Sequence, residues 1–200
     1  MTLNELTEPE IREKLAVPVP EPPDDLNPIN YFNRPRRRAG VLIPLTRIED
    51  DWHLLFIRRS EFEDDHHGGQ VAFPGGGAEA GDDDIVATAL RETQEETGLQ
   101  VGHLRILGRL NDVVSITNYL VTPVVGAFDS PYPFVQDRTE VARIFTIPLE
   151  WLAEPSNRRT ETHEITGEGS WPVIYYERYD GELLWGFTAG LTRELLSILR

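Results

Sequence analysis

Apolar residues gather into two runs soon after residue 39, "AGVLIPLTRI" (39–48) and "WHLLFIRR" (52–59), separated by the polar turn "EDD". Their β-branched and aromatic content predicts a strand pair. "GQVAF" (69–73) predicts a further short strand, ending at Pro74 and a run of glycines. Over residues 83–97 the pattern changes to the helical period. Val86, Leu90, Thr93 and Thr97 form a stripe with Ile85 and Ala89 alongside, so Glu92, Glu95 and Glu96 are expected to project from another face. Asp82 to Asp84 offer an N-cap and negative charge at the positive end of the helix dipole, and Gly98 stands at C′. "LRILGRLNDV" (104–113), "NYLVTPVVGAF" (118–128) and "VARIFTIPL" (141–149) predict strands, and "EWLAEP" (150–155) predicts a helical turn. "WPVIYYERY" (171–179) predicts another strand, and "FTAGLTRELLSILR" (187–200) a closing amphipathic helix lined by Leu191, Leu195, Ile198 and Leu199. Strands interleaved with few helices predict an α/β fold with a mixed sheet between helices.

The N-terminal residues differ in character. Residues 5–15 predict a short helix with Glu8, Glu10 and Glu13 facing water, followed by the proline-rich linker "PVPEPPDDLNP" (18–28). Residues 1–34 are therefore expected to be an extension, either a packing arm or a loose leader, and residues 35–200 a single domain. Two hundred residues at 40% hydrophobic suit one compact core better than two. The absence of cysteine excludes a disulfide framework, a thiolate metal site and a thiol nucleophile. The acidic, proline-rich start lacks the features of a signal peptide, and no run of eighteen apolar residues occurs, so a soluble cytoplasmic protein is expected. A net charge of −15 argues against nucleic acid and anionic membrane as partners, because such binding needs a basic face. An anionic substrate would need divalent cations as intermediaries.

One stretch concentrates the chemistry: "FPGGGAEAGDDDIVATALRETQEETGL" (73–99). Glu92, Glu95 and Glu96 lie within one helical turn, and like charges at that spacing cost an isolated helix roughly 0.2–0.5 kcal/mol per pair. A bound hard cation relieves that repulsion, since Mg²⁺ and Mn²⁺ take carboxylate oxygens. Arg91 is placed to pair with Glu95 at i+4 or to hold the loop before the helix. The glycines, Gly75 and Gly76 among them, allow backbone to approach metal and phosphate. An isolated charge run of this kind more often marks a solvated helical face; the surrounding residues decide the matter.

Those surroundings match the Nudix box, G-x5-E-x7-R-E-U-x-E-E-x-G-U with U apolar. Gly77, Arg91, Glu92, Glu95, Glu96, Gly98 and Leu99 fit it, Asp83 stands where Glu is usual, and Thr93 fills an apolar position. With Gly76, the register one place earlier puts Asp82 in the acidic position instead, and both registers fit. The chain thus resembles a Nudix hydrolase. The resemblance implies an α/β/α sandwich with a loop–helix–loop, and Glu92, Glu95 and Glu96 as Mg²⁺ or Mn²⁺ ligands oriented by Arg91. It also implies hydrolysis of a nucleoside diphosphate derivative.

The flanks narrow the resemblance. "LLFIRRSEFEDDHHGGQVAFPGG" is similar to the signature upstream of the box in coenzyme A pyrophosphatases, and three downstream stretches extend the similarity over roughly residues 35 to 199. By that resemblance Glu140 supplies a carboxylate from outside the box, as metal ligand or general base, and Arg59 grips the substrate's phosphates. His66 or His67 stands where a basic residue usually precedes the glycine, in an unusually acidic insert, and either is a candidate substrate contact. Arg58 alternates to the other sheet face and is expected at the surface. "RPRRR" (34–38) is an exposed linker or helps attract a polyanion. Trp52, Trp151, Trp171 and Trp185 are left unassigned, because single tryptophans usually pack. The implied reaction cleaves coenzyme A or a derivative into 3′,5′-ADP and a 4′-phosphopantetheine product. The alternatives are hydrolysis of ADP-ribose, NADH or dinucleoside polyphosphates, and a non-catalytic nucleotide-sensing module. The expected partner is a small-molecule nucleotide; a homodimer is left open.

Overall fold

The computed structural model describes residues 2–17, 35–61, 68–165 and 169–200. The predicted strand pair is β1 (Arg37–Ile48) and β2 (Asp51–Arg59), in register from Leu45 opposite Leu54 to Ile48 opposite Asp51. Glu49 and Asp50 close the turn with positive φ of 50° and 70°, as a two-residue hairpin loop with the native twist requires. Away from this turn the two strands part. β3 (Val71–Ala72) pairs with β2, and β4 (Gly75–Gly77) pairs with β1, in the space between them.

The sheet extends on both sides. β7 (Tyr119–Phe128) lies parallel to β1 from Tyr119 opposite Arg37 to Phe128 opposite Thr46, and it carries β5 (Arg105–Arg109) and β6 (Val113–Val114) on its other edge. β8 (Val141–Pro148) covers the outer edge of β2. One parallel pair among antiparallel ones makes the sheet mixed.

Period-two alternation sends neighbouring residues to opposite faces. Leu42 of β1 and Val124 of β7 pack with Ala89 on α2 (Ile85–Thr97). Ile43, Leu45, Val125 and Ala127 join the larger core on the other face, with residues of α1 (Glu8–Ala16), α3 (Leu149–Ala153) and α4 (Gly186–Leu199). The result is the expected α/β/α layering. Gly40 sets the spacing on the α2 side: a Cβ there would lie 2.5 Å from the Ile85 carbonyl oxygen and 2.9 Å from the Ala89 nitrogen.

Four local expectations are corrected. The N-terminal helix starts at Glu8, because Thr7 and Glu10 form a capping box, and residues Leu3–Glu5 make a separate 3-10 turn. Glu8 does not simply face water; its carboxylate accepts from Arg105 at 2.7 Å. The glycine run is a strand rather than a loop, held through its backbone by β1. A polar strand absent from the prediction, β9 (Arg158–Ile165), pairs with β10 (Gly169–Tyr176) as a two-stranded ribbon. Leu3, Leu6, Ile11 and Leu15 belong to the larger core, so these N-terminal residues pack as an arm. Among the described residues no helix is long and apolar enough to cross a membrane.

Candidate active site

α2 is well delimited by its own sequence. The Asp84 carboxylate caps it by accepting from the Ala87 amide at 2.8 Å, and Gly98 ends it in the left-handed region at φ 73°. Thr93, the polar residue at an apolar position, fits because its hydroxyl donates to the Ala89 carbonyl at 2.6 Å.

The three box glutamates do not share a face. Glu96 continues the buried stripe of Ile85, Ala89 and Thr93 and is 2% exposed, which corrects the expectation that it projects with the others. Glu92 is largely covered, at 16% side-chain exposure, and Glu95 points outward at 58%. Two non-local groups accommodate Glu96. The Gly75 amide donates to its Oε2 at 2.9 Å, and Arg59 Nη1 lies 4.0 Å from its Oε1. Burial nevertheless dominates and pushes the Glu96 carboxyl up to about 8. Glu92 is raised for the same reason, against the lowering effect of Arg91. The negative charge of Glu140 bears on both groups. Glu140 is exposed just before β8, and its carbonyl accepts from the Ser60 amide at 2.8 Å, which fixes it beside the Arg59 end of β2.

Arg91 both holds the loop and pairs along the helix. Its guanidinium donates to Asp82 at 2.9 and 3.2 Å, to the Gly77 carbonyl at 3.1 Å, to Glu92 at 2.9 Å and to Glu95 at 3.0 Å. The two acidic candidates differ in their partners: Asp82 takes Arg91, the Thr88 hydroxyl at 2.8 Å and the Glu79 amide at 2.9 Å, whereas Asp83 is exposed. Arg91 is the main cause that holds the Asp82 carboxyl far below the usual carboxylate range. Gly76 faces the same cluster, since a Cβ there would come 2.5 Å from the Glu92 carboxyl carbon.

These groups fit a hard divalent cation in kind: carboxylate oxygens on Glu92 and Glu96, both covered and both raised by desolvation, beside a strand with no side chains. Among the described residues no three of them converge on a ready cation cage. Arg91 draws Glu92 and Glu95 to one side, and the Gly75 amide holds Glu96 at the other. His66 and His67 lie outside the described residues. Sequence reasoning did not single out Gly40 or the Gly77 carbonyl. A glycine inside an apolar strand pattern was the available signal for the first; nothing in a linear pattern marks the second.

Comparison with known proteins identifies the family. The NUDIX domain family matches residues 36–171. "Uncharacterized Nudix hydrolase NudL" of Yersinia pestis is 36% identical over 189 residues, covering 93% of this chain and 92% of the relative. The NudL of Yersinia pseudotuberculosis matches equally well, at 36% over 189 residues. Among solved structures, a MutT/nudix family protein from Enterococcus faecalis superposes with a TM-score of 0.52 at 14% identity, over 82% of this chain and 61% of that one. DR0079 from Deinococcus radiodurans does so with 0.50 at 17%, over 83% and 88%. The chain belongs to the Nudix hydrolase family. It is accordingly a hydrolase of pyrophosphate bonds in nucleotide-type small molecules, a class that generally uses divalent metal ions.

Proposed function

We propose that the protein is a Mg²⁺- or Mn²⁺-dependent diphosphatase that splits coenzyme A or a derivative into 3′,5′-ADP and a 4′-phosphopantetheine product. The observation that carries the site assignment is that Glu92 and Glu96 both lie against the glycine strand, Glu92 at Gly76 and Glu96 on the Gly75 amide, with Arg59 4.0 Å from Glu96. The substrate assignment is supported by the similarity of residues 54–76 to the coenzyme A signature. A bound divalent cation would lower the pKa of a coordinated water and screen phosphate charge. The protein supplies the remainder. Glu92, Glu96 and Glu95 offer the oxygen donors, and Arg91 fixes the loop through Asp82 and Gly77. Arg59 at the end of β2 attracts the diphosphate, the missing side chains of Gly75 and Gly76 leave room for it, and Glu140 stands ready to accept a proton from the attacking water.

The test is incubation of the purified protein with coenzyme A and Mn²⁺, with the products resolved by chromatography. Release of 3′,5′-ADP supports the reading. Turnover of ADP-ribose, NADH or a dinucleoside polyphosphate without 3′,5′-ADP release from coenzyme A would replace coenzyme A as the substrate.

A further inference from the structure

Consecutive arginines at the end of β2 serve opposite faces of the sheet. Arg59 reaches toward Glu96 on the α2 side. Arg58 reaches Glu182 at 3.9 Å on the other side, where it lines a cavity of about 390 Å³. That volume lies within the usual range of small-molecule sites. Glu61 and residues 68–70, the described ends of the segment that departs most from the coenzyme A signature, form one wall. Arg178, Glu182 and Trp185 form the other.

The lining has the chemistry of a nucleotide site. Trp185 stacks on Tyr175 with centroids 5.5 Å apart and planes 5° from parallel, and Tyr175 in turn lies under the Arg159 guanidinium and against His163. A ring held in this way presents a rigid aromatic surface at little entropic cost. Arg58 Nε is buried and has no hydrogen-bond partner among the described residues, while its side chain as a whole is 40% exposed. The charge of Glu182 is engaged by Arg143 Nη1 at 2.9 Å. Among the described residues that line the cavity, Glu61 is the other carboxylate beside Arg58 and Arg178.

We propose that this cavity seats the nucleoside-monophosphate end of the substrate, with the base against Trp185 and a phosphate paired by Arg58 and Arg178. The proposal rests on the hydrolase reading above for its connection to catalysis, since Arg58 adjoins Arg59 in β2. It gives roles to two residues, Arg58 and Trp185, that sequence reasoning left at the surface or unassigned.

Calorimetric titration of the intact protein with AMP, 3′,5′-ADP and neutral adenosine tests it without requiring turnover. Trp185→Ala should weaken all three by about ten-fold or more, the usual effect of removing a base-stacking ring, while Trp185→Phe retains most of the affinity. Arg58→Ala should weaken AMP and 3′,5′-ADP and leave adenosine unchanged, and Glu61→Gln should tighten the two anions. Absence of AMP and 3′,5′-ADP binding in the wild type, or equal affinities in Trp185→Ala, Arg58→Ala and the wild type together with an unaffected KM, overturns the proposal. In the second case turnover still proceeds and the hydrolase reading stands. Nucleotide binding that depends on Trp185 and Arg58 in a protein that hydrolyses no diphosphate sinks the hydrolase reading and keeps the site.

Discussion

Gly76 stands directly against Glu92: a Cβ on Gly76 would lie 2.5 Å from the Glu92 carboxyl carbon and 2.6 to 2.7 Å from its oxygens. The group displaced by a methyl there is the far end of a flexible side chain, so Gly76→Ala should fold normally while pushing the carboxylate aside. Gly40 provides the contrast, because its missing Cβ would meet α2 backbone at Ile85 and Ala89. Gly40→Ala should therefore cost about 1–3 kcal/mol of stability through overpacking. The expected pattern is a ten-fold or greater loss of kcat with little change in Tm for Gly76→Ala, and a lowered denaturation midpoint for Gly40→Ala. Equal stability losses in the two variants would contradict the difference in what each glycine faces.

Asp82 and Asp83 are separated by their partners. Asp82 gathers Arg91, Thr88 and the Glu79 amide, and through Arg91 it fixes the loop against Glu92. Asp82→Asn should lower kcat/KM by ten-fold or more, since a neutral amide cannot hold Arg91 as a carboxylate does. Asp83→Asn, on an exposed residue, should leave kinetics and Tm near wild type. Steady-state kinetics on both variants decides the register of the box, and a larger loss in Asp83→Asn would reverse the ranking.

The parts of this architecture that were legible in the sequence are those whose causes are local. The Asp84 cap, the Gly98 stop and the apolar stripe delimit α2 within its own fifteen residues, and apolar, β-rich runs mark β1, β2, β7 and β8. The burial of Glu96 was not legible. It occupies the i+7 position from Ala89, but charged residues are rarely placed inside unless paired. Its partners, the Gly75 amide and Arg59, come from 21 and 37 residues earlier in the chain. β4 escaped prediction because three glycines have no side chains to alternate; only their pairing with Ala39, Gly40 and Val41 makes them a strand. β9 reads "RRTETHEI", polar on nearly every position, and owes its form to β10 rather than to a buried face.

Glu95 and Glu96 should differ in what their loss costs. Both carboxylates are proposed donors, but Glu95 is exposed and tied to Arg91, whereas Glu96 is enclosed beside Gly75 and Arg59. Glu96→Gln is expected to lower kcat by more than about 100-fold, beyond the upper end of what losing an outer-shell partner costs. Glu95→Gln should show a smaller fall in kcat and a raised metal requirement, read from activity across a Mn²⁺ titration. Near-wild-type turnover in Glu96→Gln would remove it from the site.

The same burial gives the metal-free protein a signature in pH. With its carboxyl pushed up to about 8, Glu96 stays protonated in the folded chain over a range where the unfolded chain has already ionised it. Between the unfolded value near 4.5 and about 8 the folded state therefore binds more protons, and stability falls as pH rises through that window. In excess chelator, Tm should decline from pH 5 to 8.5 more steeply in the wild type than in Glu96→Gln, whose amide has no proton to lose. Mn²⁺ should restore the wild type most at the alkaline end, because the ionised form is the one that binds a cation, and should do little for the variant. Parallel Tm profiles for the two proteins in chelator would show that Glu96 ionises as readily in the folded chain as in the unfolded one.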